Sequence, residues 1–234
     1  MTIGLLECDH VREEFKYIAG DYQDMFPALF RTLVPDWTFV FFDVINGQFP
    51  NSIHDCNAYI CTGSRFSVYD NEPWIAHLKD FVRELHQNQK PFVGLCFGHQ
   101  LLGEALGGKV EKSVNGWCVG VHQFDIQVVE DWQIPQVQSV NLLMMCQDQI
   151  VMLPTDSIVL ATSAHCPVAM LKVGQTMLGI QAHPEFEKPY EQALIENRVE
   201  RIGGEKAQKA IKSLRLPIEN EVVGQWIINF LLSL

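Results

Sequence analysis

Short apolar runs alternate with amphipathic stretches through the first half of the chain. Residues 2–8 (TIGLLEC) and 37–45 (WTFVFFDVI) read as buried strands, the second rich in aromatic and β-branched side chains. Between them Tyr22, Met25, Phe26, Leu29, Phe30 and Leu33 recur at three- and four-residue spacing, the mark of a helix with one apolar face, and Pro27 predicts a restart within it. Residues 57–63 (NAYICTG) form a third strand that ends in turn residues. The stretch 72–89 then places Trp74, Ile75, Leu78, Phe81, Val82 and Leu85 on one side of a helix. A short strand (KPFVGL) follows, and then a second helix (GHQLLGEALGG) that Gly107 and Gly108 stop.

Strand, helix, strand, helix in this order predicts an α/β fold: a doubly wound, mostly parallel sheet with helices on both faces. From Lys109 to Gln181 the texture changes to short strands and turns, some of which are expected to form a small antiparallel annex. Helices over 189–214 and 219–232 close the chain, the latter with Val222, Val223, Trp226, Ile227, Phe230 and Leu231 on its apolar side. No repeat, low-complexity tract or linker interrupts the pattern, so one domain over residues 1–234 is expected.

Composition narrows the partners. The 234 residues are 47% hydrophobic, and 28 acidic residues against 17 basic ones give a net charge of −11, which repels phosphate backbones and argues against nucleic acid. No apolar run is long enough to span a bilayer, and the first ten residues lack a signal-peptide pattern. A soluble, cytoplasmic protein is expected. Seven scattered cysteines, with no C-x-x-C pair and no histidine at zinc-ligand spacing, fit a reducing compartment and no metal site.

One cysteine stands apart. In GLCFGHQ, Cys96 sits between a strand and a helix with Gly94 and Gly98 on either side. Flanking glycines relieve the crowding of a sharp strand-to-helix turn, the geometry of a nucleophile elbow. Unpaired N–H groups at the helix start favour the thiolate, and that of Phe97 would face a developing oxyanion. Acyl transfer also needs an acid/base and a group to orient it. In QAHPEF, His183 and Glu185 lie two apart at the end of an apolar strand and so leave the backbone on one side. Carboxylate beside imidazole is the arrangement that fixes a tautomer and stabilises imidazolium.

GLCFGHQLLGEALGG together with GIQAHPEF resembles the class I, triad-type glutamine amidotransferases. The likeness extends to CTGS, to GW-x-x-G at 116–120 and to CQDQIVMLP at 146–154, and is nearest to standalone relatives of the GMP synthase amidotransferase domain, a group that includes γ-glutamyl peptidases. The resemblance implies Cys96 as nucleophile, His183 as acid/base, Glu185 as its orienting partner, and Gly63 and Phe97 as backbone oxyanion donors. It places Gln100, Trp117 and Cys118 around the γ-glutamyl substrate, although an exposed helix position for Gln100 and a packing role for Trp117 stand as alternatives. His99 is expected to be structural. Two departures are visible: Cys146 stands where many relatives carry histidine, and the third strand's turn is Thr-Gly-Ser rather than Gly-Gly-Pro.

The implied reaction hydrolyses the γ-glutamyl amide of glutamine or a γ-glutamyl compound through a thioester, with no metal or organic cofactor. A glutaminase subunit that passes ammonia to a separate synthetase chain is the first alternative, and a non-catalytic binding or regulatory protein the second.

Overall fold

A computed structural model describes residues 1–234. Its eleven strands are β1 (Thr2–Leu6), β2 (Thr38–Phe42), β3 (Ala58–Cys61), β4 (Phe92–Leu95), β5 (Lys109–Lys112), β6 (Cys118–Ile126), β7 (Ser139–Cys146), β8 (Asp148–Met152), β9 (Ser157–Ser163), β10 (Cys166–Val173) and β11 (Met177–Ile180). The helices are α1 (Lys16–Ala19), α2 (Tyr22–Arg31), α3 (Pro73–Gln87), α4 (Phe97–Ala105), α5 (Lys188–Asn197), α6 (Val199–Ile202), α7 (Gly204–Ser213) and α8 (Asn220–Leu232).

Nine strands form one mixed sheet in the order β2-β1-β3-β4-β11-β10-β9-β6-β7. The pairs from β2 to β11 are parallel, and those from β11 onward are antiparallel. Parallel pairing arises where helices supply the crossovers, and antiparallel pairing where the chain turns back directly. The strands after Lys109 therefore mostly lengthen the main sheet. Only β5 and β8 form a separate antiparallel ribbon, which is the annex.

The parallel strands are covered on both faces. In β3, Ala58 and Ile60 enter the larger apolar cluster, shared with Phe26 and Phe30 of α2 and Trp226 and Phe230 of α8. Tyr59 and Cys61, pointing the other way, enter the second cluster with Leu78 and Phe81 of α3 and Leu101 of α4. Edge strand β2 has only one neighbour in the sheet and is largely exposed.

Two helices differ from the sequence expectation. α2 runs through Pro27 without a restart, because Met25, Phe26 and Phe30 keep its buried face continuous. The expected helix over 189–214 is instead three, α5 to α7. Its path breaks at Arg198, and again at Gly203, where φ of 92° takes the backbone out of the helical region.

Candidate active site

β4 and β11 are parallel neighbours, with Leu95 beside Ile180. The residues just beyond their carboxyl ends therefore emerge side by side, in the crevice where open α/β sheets hold ligands. Cys96 follows β4 directly, and His183 follows β11 by three residues. The Cys96 N–H donates to the Ile180 carbonyl at 2.9 Å, and the His183 N–H to the Leu143 carbonyl at 2.9 Å, which ties the crevice to β7.

Cys96 has φ 50° and ψ −99°. This backbone conformation is rare for a residue with a side chain, costs about 1–3 kcal/mol, and aims the thiol out of the turn. The glycines around it have distinct reasons. A methyl on Gly94 would run into the Gly98 carbonyl, and one on Gly98 would stand 2.6 Å from the Cys61 carbonyl oxygen. α4 thus lies against β3 and β4 with backbone touching backbone.

His183 Nδ1 and Glu185 Oε1 are 2.8 Å apart, and the Glu185 side chain is fully buried. Phe186 lies flat on the imidazole, with ring centroids 4.0 Å apart and planes 6° apart. Burial works against a charged imidazole here. The facing sulfur of Cys96 and the carboxylate of Glu185 outweigh it, and the affinity of His183 for its proton stands well above the ordinary histidine value.

Gly63, at the end of β3, completes the crevice: a methyl there would stand 2.8 Å from His183 Cε1 and 3.6 Å from Cys96 Cβ. Neither the Gly63 nor the Phe97 N–H is engaged by a protein acceptor. The structure thus brings Cys96, His183, Glu185, Gly63 and Phe97 together from β3, β4, α4 and the segment after β11. A thiol facing an imidazolium, a carboxylate behind it and free N–H donors nearby can form and release an acyl group.

Residues 66–202 match the family model described as "Glutamine amidotransferase class-I". The chain belongs to the class I glutamine amidotransferase family.

Among curated members of this family, γ-glutamyl peptidase 3 of Arabidopsis thaliana is 29% identical over 197 residues, covering 80% of this chain and 77% of that one. The glutamine-hydrolysing GMP synthase of Bacillus velezensis is 35% identical over 144 residues, covering 60% of this chain and 26% of the synthase. A solved glutamine amidotransferase from Thermotoga maritima superposes with a TM-score of 0.75 at 19% identity, covering 99% of this chain and 96% of that one. The chain carries no helix long and apolar enough to cross a membrane.

Cys96 of this amidotransferase-family chain sits where two lobes of one cavity meet, of about 80 and 250 Å³. Both lobes share Ser64, Arg65, Met145, Arg198 and Arg201 with the thiol. The other expected site residues fall in different places. Gln100 is buried rather than exposed; it lines the larger lobe, yet its Nε2 donates to the Asp148 carbonyl at 2.8 Å and to Gln181 Oε1 at 3.2 Å. Trp117 lines the larger lobe and carries the Arg201 guanidinium 5.5 Å from its ring centre. Cys118 is buried beside His122 and lies behind the cavity wall. His99 is fully buried against Gly179, and burial takes its proton affinity down to about 4, so it is a neutral packing residue.

The substituted position is informative. Cys146 lines the larger lobe with Cys96, and Asp148 next to it accepts hydrogen bonds from Ser67 at 2.5 Å and Tyr69 at 3.1 Å. The acidic residue is therefore held by hydroxyls on the loop after β3.

Several site residues escaped sequence reading. Arg198 and Arg201 fall within the stretch expected as one helix over 189–214; the breaks at Arg198 and Gly203 set the short α6 apart, and both arginines line the cavity. Phe186 was visible in the motif, but its face-on contact with His183 depends on the tertiary path. Glu191 has no sequence signal at all. Fully buried in α5, it accepts the Gly120 N–H at 3.1 Å, and burial pushes its carboxyl up to about 7 despite that donor.

Proposed function

We propose that the protein hydrolyses the γ-glutamyl amide bond of a γ-glutamyl amino acid or peptide through a thioester on Cys96. The observation that carries this reading is the convergence of Cys96, His183 and Glu185 at the carboxyl ends of two neighbouring parallel strands, at the floor of a cavity.

The Cys96 thiolate attacks the side-chain amide carbon, and the oxygen's charge builds opposite the free N–H groups of Gly63 and Phe97. His183, held by Glu185, gives its proton to the departing nitrogen as the C–N bond breaks. The neutral imidazole then takes a proton from water. The resulting hydroxide attacks the thioester, the thiolate leaves, and glutamate is released. No step calls on a metal or an organic cofactor.

A second feature favours an amino-acid or peptide leaving group over ammonia. Arg198 and Arg201 have no carboxylate within 4.0 Å, although the chain carries 28 acidic residues. Arg65, by contrast, is paired with Asp9 at 3.1 Å. Free guanidinium groups beside a nucleophile fit substrate carboxylates, and a γ-glutamyl peptide offers a second one on its leaving group. The alternative, a glutaminase subunit feeding a separate synthetase, is favoured by the match to GMP synthase.

A substrate panel on the purified chain decides between them. Rapid turnover of a γ-glutamyl dipeptide with slow turnover of glutamine is expected. A weak glutaminase rate that rises sharply when a synthetase chain is added, with no dipeptide turnover, would replace this reading with the alternative. Labelling by a glutamine-directed electrophile that persists in Cys96→Ala would move the nucleophile to another thiol.

A further inference from the structure

Beside the cavity lies a second sulfur cluster that the hydrolysis does not use. β6 and β7 pair antiparallel with Cys118 directly opposite Cys146, so the two side chains share one face of the ladder. Cys118 Sγ also lies 3.5 Å from His122 Nε2, and the His165 ring meets that of His122 edge-on at 5.6 Å. Cys146 in turn lines the larger lobe together with Cys96. Cys96 and Cys146 thus line one lobe, Cys118 faces Cys146 across the ladder, and all three thiols are free.

We propose that Cys146 and Cys118 form a resolving pair that takes over an oxidation arising at Cys96, so that the chain reduces hydroperoxides by way of its own nucleophile and ends with a Cys118–Cys146 disulfide. This inference rests on Cys96 being the reactive thiol of the proposed hydrolase.

The chemistry balances in three steps. The Cys96 thiolate attacks one oxygen of hydrogen peroxide: an S–O bond forms, the O–O bond breaks, and the hydroxide takes the His183 proton and leaves as water. The Cys146 sulfur then attacks the sulfenic sulfur; an S–S bond forms, the S–O bond breaks, and the oxygen leaves as water with the Cys146 proton. Finally the Cys118 thiolate attacks the Cys146 sulfur and expels the Cys96 thiolate, while the proton held by His122 is released and restores that of His183. Two thiols have lost two electrons, and one peroxide has become two waters. A low-molecular-weight thiol reverses the disulfide.

The charge states suit these roles. The facing Cys146 thiol outweighs burial and, with His122 and His165, holds Cys118 down to about 5, while His122 is raised by the Cys118 sulfur despite its own burial. Cys146 is held well above the ordinary thiol value by the facing Cys118 sulfur and by burial, so its proton passes to the departing sulfenic oxygen as it attacks. At neutral pH the pair therefore shares one proton, with the terminal attacking sulfur already ionised. Directly opposite residues of a ladder have Cβ atoms about 4.5–5.5 Å apart, so a local shift of roughly 1 Å reaches disulfide spacing.

Cys8 and Cys61 provide an internal control. Their sulfurs are 3.3 Å apart, but both are fully buried and neither lines the cavity, so they are expected to stay reduced.

The test treats the full chain with hydrogen peroxide, alkylates the remaining thiols after an acid quench, and maps disulfides and oxidised cysteines by peptide mass. Dipeptide turnover is followed in parallel and normalised to each variant's starting rate. Wild type is expected to show the Cys118–Cys146 disulfide with Cys96 still alkylatable. In Cys146→Ser or Cys146→Ala, Cys96 is expected to reach the sulfinic state, and irreversible inactivation to run roughly tenfold faster. Cys118→Ser is expected to stop at a Cys96–Cys146 disulfide that dithiothreitol reverses. In Cys96→Ala the Cys118–Cys146 bond is expected not to form at the same peroxide level.

Absence of that bond in wild type overturns the proposal, as does a Cys8–Cys61 bond in its place, its formation in Cys96→Ala at the wild-type rate, or wild-type inactivation kinetics in the Cys146 variants. Because the mapping reads thiols directly, a chain that turns over no γ-glutamyl compound would sink the hydrolase reading while the peptide masses still decide this one.

Discussion

Phe186 and His183 lie face to face at 4.0 Å, so the imidazole proposed to move protons has one of its faces covered by a phenyl group. The Glu185 contact fixes one edge of the imidazole, and Phe186 stops rotation about that edge. Phe186→Leu keeps an apolar side chain but removes the flat partner. The expected result is a fall in kcat of about tenfold with KM little changed, read from steady-state turnover of a γ-glutamyl dipeptide. An equal rise in KM would show that Phe186 serves binding instead.

Gly63→Ala tests the tightness of the crevice. Its methyl would stand 2.8 Å from His183 Cε1, and the imidazole has no free direction with Phe186 on its face. A loss of about 100-fold in kcat is expected, the scale of a 1 Å misplacement, with the thermal transition nearly unmoved because the position borders a cavity.

Glu185→Gln removes one of the two anions that oppose burial at His183. The folded proton affinity of His183 is raised, so the stability it contributes is fully present below about pH 6.5 and is lost as pH rises through its folded value. With the carboxylate gone, that loss still begins near pH 6.5 but is smaller and is complete at lower pH. The high-pH limb of kcat/KM and the alkaline decline of the urea midpoint should both shift downward together; an unshifted limb in the variant would detach Glu185 from the proton chemistry.

Glu191 carries the same sign in a lower pH window. Its carboxyl is raised to about 7 in the fold, so the folded state holds the extra proton and loses stability relative to the unfolded chain as pH climbs from about 4.5 through 7. Glu191→Gln keeps an acceptor for the Gly120 N–H and removes the titration. The variant should match wild type near pH 5 and exceed it by of order 2 kcal/mol at pH 8 in urea unfolding. Parallel curves at both pH values would mean the carboxyl ionises freely.

Arg198→Gln and Arg201→Gln separate substrate classes. Each is expected to raise KM for a γ-glutamyl dipeptide by roughly 10–100-fold, the scale of a charge-assisted hydrogen bond, and KM for glutamine by much less. Equal effects on the two substrates would assign these arginines to the γ-glutamyl carboxylate they have in common.

The sheet, and the turns that bring Cys96 beside His183 and Glu185, are readable because both depend on short-range patterns. Period-two and period-3.6 repeats marked the strands and helices, and the glycines around Cys96 marked a turn that backbone contact demands. Residues that act through the tertiary path were not readable in that way. Nothing in the sequence told that Gln100 would turn its amide to Asp148 and Gln181, or that Cys118 would face Cys146 behind the wall. The break at Gly203 was hidden for a related reason: apolar periodicity persists on both sides of it, and only the left-handed backbone interrupts the helix.

The backbone contact between α4 and the strands beneath it reaches beyond the turn itself. Where carbonyls and α-carbons meet without intervening side chains, there is nothing to repack, and substitutions elsewhere in the core have no lever on the thiol's position. The cavity wall is built the other way, from arginines and aromatic rings on the α5–α6 segment and on the strand edge at Trp117. Wall residues can therefore be exchanged while the Cys96 sulfur stays in register, a division that, given the proposed hydrolysis, makes this scaffold a practical starting point for accepting new γ-glutamyl amines.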